Sequence, residues 1–130
     1  MTDGTPPGDQ PARPERLTAT PPGIAVAALG DLADPGARAI VIEIGARRFH
    51  GFLVRRGGAV SGFVDRCPHM GLPLAQQLDQ YLTPAGDLVA CSWHGALFRP
   101  DDGACVAGPC AGQGLTPWLV TVADGIIRTA

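Results

Sequence analysis

Cysteine and histidine are scarce in this 130-residue chain, four and three residues respectively, and most of them stand in two short clusters. CPHMGLPL begins at Cys67 and CSWHGALF at Cys91, which gives C-x-H, a spacer of 21 residues, and then C-x-x-H. Each cluster supplies one thiol and one imidazole in the same order, with Gly71 or Gly95 shortly after the histidine. An isolated cysteine would read as a small core hydrophobe. Close pairs of soft sulfur and imidazole nitrogen read as a metal site. Two thiolates and two imidazoles can close the shell of one tetrahedral zinc. Zinc ribbons and fingers, however, pair cysteines on one turn and histidines on another. Mixed pairs on two separate loops suit a binuclear iron–sulfur cluster better, one iron taking the thiolates and the other the imidazoles. The glycines fit that reading, because the backbone must turn tightly near the sulfides and present N–H groups to them.

The elements that must position these loops read as short β-strands. AIVIEIG, from Ala39, is β-branched and apolar; RRFHGFLVRR follows after Gly45-Ala46, and AVSGFVDRC after Gly57-Gly58. Three strands joined by two-residue turns make an antiparallel meander. PWLVTVAD and GIIRTA form a further pair around Asp124-Gly125, and IAVAALGDLAD reads as a strand entering a turn at Asp34-Pro35-Gly36, with a helical turn at Leu29 to Leu32 as the alternative. LAQQLDQYL, residues 74 to 82, carries the one helical pattern, with a looped turn as its rival. Residues 1–22 hold six prolines and little that could enter a core, so they are expected as a disordered tail ahead of a domain over 23–130. Net charge is −2 without a basic run, and aromatics are few, so a nucleic-acid footprint is missing. No apolar stretch approaches the ~18 residues that span a bilayer. The start lacks the apolar core of a secretion signal. The expectation is a cytoplasmic protein whose thiols stay reduced or bind metal.

CPHMGLPL followed by CSWHGALF resembles the two ligand loops of the Rieske ferredoxin family. FRPDDGACVAGP, from Phe98 to Pro109, resembles that family's segment leading to a Gly-Pro pair that covers the cluster from a third side. The resemblance runs from about Ile40 to Ala130. It implies an all-β fold of stacked antiparallel sheets with an inserted cluster-binding subdomain. It also implies a [2Fe–2S] cluster on Cys67, His69, Cys91 and His94, with the two imidazoles as its outer edge.

Departures from the family pattern narrow the expectation. The spacer is several residues longer than usual. Respiratory-complex members carry a further cysteine in each loop and bridge them, where this chain has Leu72 and Trp93. They also carry a serine and a tyrosine that donate to cluster sulfur, where this chain has Ala96 and Phe98. Hydrogen bonds to sulfur stabilise the electron-rich reduced state. Their absence predicts a potential toward the low end of the Rieske range of about −150 to +300 mV.

The remaining residues of note read blandly. Cys105 and Cys110 are expected as inert or half-buried thiols in preference to a disulfide, and Trp93 as loop packing or a shield. Trp118, Val120 and Val122 are expected to alternate into the core. Arg47, Arg48, Arg55 and Arg56 are expected to solvate strand ends rather than dock an acidic partner. His50 is the only histidine outside the two clusters, and a mononuclear iron site needs two histidines and a carboxylate. A self-sufficient oxygenase is therefore excluded. The leading expectation is an electron carrier between a ferredoxin reductase and a terminal oxygenase. The rivals are a small subunit beside a reductase large subunit, like that of nitrite reductase, and a zinc-stabilised interaction domain.

Overall fold

The computed structural model describes residues 16–66, 74, 80–91, 95–108 and 112–130. Its strands are β1 (Arg16–Leu17), β2 (Ala25–Ala28), β3 (Gly36–Ile44), β4 (Arg47–Arg56), β5 (Ala59–Val64), β6 (Val89–Ala90), β7 (Leu97–Phe98), β8 (Cys105–Ala107), β9 (Val120–Ala123) and β10 (Ile126–Thr129). A single 3-10 turn, Leu29–Asp31, follows β2, and no α-helix occurs among the described residues. Most of the expected helical stretch 74–82 lies outside them. At its end Tyr81 is not helical, and Leu82 bridges Val89 in antiparallel fashion. No helix among the described residues is long and apolar enough to cross a membrane.

The expected meander is present. β3 pairs with β4 from Gly36↔Arg55 to Ile44↔Arg47, and β4 pairs with β5 from Gly51↔Val64 to Arg56↔Ala59, both antiparallel. A second sheet has the order β2-β10-β9, and a third, β6-β7-β8, is inserted in sequence between β5 and β9. This is the stacked all-β arrangement with an inserted subdomain.

Strand β4 reads as a nearly continuous apolar run because both of its faces are buried. Side chains along a strand alternate between faces. Phe49 and Leu53 enter one core with Leu32, Ile40, Val64, Trp118 and Ile127. Phe52 and Val54 enter the other with Phe63, Leu74, Tyr81, Val89, Cys91, Ala96, Phe98 and Leu115. Neighbours on β5 divide in the same way, Val64 to the first core and Phe63 to the second. The second core reaches the cysteine-bearing subdomain, so the packing of the base is continuous with the site.

Three expectations are corrected. The stretch from Arg16 to Pro22, taken as tail, is bound to the domain: Arg16–Leu17 run parallel to Arg48–Phe49, Trp118 Nε1 donates to Thr20 Oγ1 at 2.9 Å, and Thr129 Oγ1 donates to the Pro21 carbonyl at 2.7 Å. Proline-rich composition over 22 residues hid one leucine and one threonine that dock. Val122 is 36% exposed although Trp118 is buried and Val120 packs on the core. Strand β9 is the edge of its sheet, and the core ends before Val122. Arg55 does more than solvate a strand end, for its guanidinium donates to the carbonyls of Gly57 (2.8 Å), Leu29 (3.1 Å) and Leu32 (3.1 Å). Arg48 and Arg56 do fit the expectation, forming exposed pairs with Glu43 (3.4 Å) and Asp101 (3.6 Å) of the kind that contributes little stability.

Candidate metal centre

The second Cys/His cluster sits on the loop of the β6–β7 hairpin. Val89 pairs with Phe98 and Ala90 with Leu97. Beyond them the Cys91 N–H donates to the Ala96 carbonyl at 2.9 Å, and the Gly95 N–H donates back to the Cys91 carbonyl at 3.1 Å. Gly95 turns the chain at φ +72, a conformation that L side chains resist. Cys91 is buried among the apolar side chains of the second core and is not disulfide-bonded.

The base of the first cluster is built differently. Strand β5 ends at Val64, and the Asp65 N–H donates to the His50 carbonyl at 3.0 Å. Asp65 Oδ1 accepts the Leu74 N–H at 2.9 Å, which ties the two ends of the stretch 66–73 together. Asp65 Oδ2 accepts the Tyr81 O–H at 2.8 Å.

A third segment closes on the second loop. Strand β8 pairs with β7, Leu97 opposite Ala107. The β7–β8 turn is held by Arg99 and Asp102, whose guanidinium and carboxylate bond directly. That bond holds the Asp102 carboxyl below the ordinary carboxylate range and raises Arg99. Gly108 follows at φ +95, and a Cβ there would stand 2.7 Å from Ala96 Cα. Only glycine allows this approach. Gly108→Ala is expected to cost at least roughly 1–3 kcal/mol through backbone strain alone, read as a lower midpoint in denaturant unfolding of the loaded protein.

Of the four expected ligands, Cys91 is placed, while Cys67, His69 and His94 lie outside the described residues, as do Leu72, Trp93, Pro109 and Cys110. Among the described residues no group of three or more His, Cys, Asp or Glu gathers to hold a metal. The structure thus gives the bases of both loops. What it shows at Cys91 fits an iron–sulfur cluster: a soft thiol on a tightly closed turn, walled by Leu74, Val89, Ala96 and Phe98, which keep water away. Ala96 and Phe98 are both fully buried and present no hydroxyl.

Cys105 departs from its expected inert thiol and is disulfide-bonded. That expectation rested on cytosolic chemistry and on a ligand set already complete without it. Two contributors went unnoticed in the sequence, Asp65 and Tyr81. The signal was a carboxylate two residues ahead of the first cluster, but its partner stands 16 residues away.

Comparison with known proteins bears on the family and the fold. The family model of the Rieske [2Fe–2S] domain matches residues 24–123. Among solved structures, the chain is similar to one in the complex of reduced oxygenase and oxidised ferredoxin of carbazole 1,9a-dioxygenase. It is 25% identical with TM-score 0.65, covering 82% of this chain and 100% of that one. The ferredoxin of carbazole 1,9a-dioxygenase from Nocardioides aromaticivorans IC177 is 22% identical with TM-score 0.66, over 85% and 98% of the two chains. A protein described as the small subunit of an NADPH nitrite reductase is 20% identical with TM-score 0.61, over 82% and 96%. No curated protein sequence matches.

Proposed function

Because the chain belongs to the Rieske [2Fe–2S] domain family and so binds a [2Fe–2S] cluster, we propose that Cys67, His69, Cys91 and His94 hold that cluster and that the protein shuttles single electrons between a reductase and a terminal oxygenase or related redox enzyme. The observation that carries this reading is the extent of the family match, which takes in both Cys/His loops and leaves His50 as the only histidine outside them. A second iron site of the two-histidine, one-carboxylate kind cannot be assembled from one histidine.

The cluster, when bound, accepts and releases one electron at a time. The chain's own residues do the rest. Cys91 contributes a thiolate from an apolar wall that excludes water and lowers the local dielectric. The backbone bonds at Ala96 and Gly95 hold the main chain that carries it. Gly108 lets the β8 segment lie against Ala96, closing the site from a third side. Ala96 and Phe98 offer no hydroxyl that could donate to the cluster's sulfur, which would keep the potential low and suit delivery of electrons onward.

Stopped-flow mixing of the oxidised holoprotein with a ferredoxin reductase and NAD(P)H tests the carrier role. The expected result is rapid bleaching of the visible spectrum by a protein that sediments as a separate species. Tight, non-exchanging association with a larger reductase would instead make it a fixed subunit and overturn the shuttle. A colourless protein with stoichiometric zinc from an iron-replete anaerobic preparation would overturn the ligand assignment itself.

A further inference from the structure

One residue joins the bases of the two ligand loops. Tyr81 lies in the spacer, ten residues ahead of Cys91, and Asp65 lies two residues ahead of Cys67. The Tyr81 hydroxyl donates to Asp65 Oδ2 at 2.8 Å, while the Tyr81 carbonyl accepts the N–H of Ala90, the residue before Cys91, at 2.8 Å. Its ring is 3% exposed and stacks on Phe52, with centroids 4.3 Å apart and planes within 7°. Phe52 belongs to β4, so the hydroxyl is aimed from a rigid support. The other oxygen of the carboxylate holds the Leu74 N–H and with it the far end of the first loop.

We propose that Tyr81 and Asp65 are positioning residues for the cluster. Tyr81 fixes the Asp65 carboxylate, and the carboxylate fixes the two ends of the stretch that contains Cys67 and His69. The chain thereby references both loops to one aromatic ring. The inference rests on Cys67 and His69 being ligands.

The test uses the loaded protein and three variants, Tyr81→Phe, Asp65→Ala and Asp65→Asn. It measures the rate of cluster loss to a chelator by visible absorbance. Tyr81→Phe keeps the ring stack and removes only the hydroxyl. It and Asp65→Ala are each expected to lose the cluster about tenfold faster, the low end of what outer partners of metal ligands contribute. The double variant Tyr81→Phe/Asp65→Ala should be no faster than Asp65→Ala, because the two groups act through one bond. Asp65→Asn keeps an oxygen for Leu74 and an amide for the Tyr81 hydroxyl, so it should restore retention. Parent-like cluster loss in Tyr81→Phe overturns the proposal, even if Asp65→Ala fails to fold. Multiplying effects in the double variant, or cluster loss in Asp65→Asn as fast as in Asp65→Ala, overturn it equally. A parent protein without iron and sulfide would overturn the ligand assignment; a loaded parent with indifferent variants would overturn this inference alone.

Discussion

Cys91→Ser is expected to abolish cluster loading, with iron and acid-labile sulfide falling to background and the visible colour lost. Cys91 is 2% exposed and packed among the side chains of the second core. Serine is close in size but offers a hard, weakly acidic oxygen in place of a soft thiolate, and soft ligands select iron–sulfur clusters. The hydroxyl would also be buried in apolar surroundings, at about 1–3 kcal/mol if left without a partner. The binding energy of a resident metal group adds to folding stability, so the empty variant should unfold at lower temperature than the loaded parent. Cys105→Ser is the comparison, because Cys105 has no part in the proposed ligand set, and breaking its disulfide should lower stability by about 2–5 kcal/mol without emptying the site. It should retain full iron and sulfide. Metal analysis of both variants checks this, and a fully loaded Cys91→Ser protein would remove Cys91 from the ligands.

Ala96→Ser is expected to raise the reduction potential of the loaded protein. Ala96 is fully buried beside Cys91, and its carbonyl accepts the Cys91 N–H. A hydroxyl placed there can donate to a sulfur whose negative charge grows on reduction. Hydrogen bonds to charged groups contribute about 1.5–3 kcal/mol, so a difference between redox states of about 1.4 kcal/mol is reasonable. That is tenfold in the equilibrium constant, about 59 mV for one electron. Phe98→Tyr, at another fully buried position on β7, should act in the same direction. Voltammetry of the loaded variants checks the sign, and an unchanged or lowered potential in both would contradict the proposed part of Ala96 and Phe98 in setting the potential.

The meander was legible because β3, β4 and β5 are punctuated by two-residue turns and carry β-branched and aromatic residues. The metal chemistry was legible because the two clusters repeat one Cys-then-His order. What escaped was long-range. Asp65 and Tyr81 are ordinary residues until the fold brings their side chains together across 16 positions. Arg55 likewise looked like one of four solvating arginines, yet it reaches back to the carbonyls of Leu29 and Leu32. Val122 continued an inward alternation past the point where the core stops, since periodicity reports a face and not an edge. Leu17 and Thr20 dock within a segment whose prolines dominated its composition.

The central claim is that two histidines, His69 and His94, and two cysteines, Cys67 and Cys91, hold one binuclear cluster. Pulsed electron paramagnetic resonance of the dithionite-reduced protein, labelled with nitrogen-15 histidine, tests it most directly. The account predicts two strongly coupled histidine nitrogens on a [2Fe–2S] signal, with one coupling lost in any loaded variant at His69 or His94. A reduced cluster without histidine coupling, or stoichiometric zinc and no signal, would contradict it.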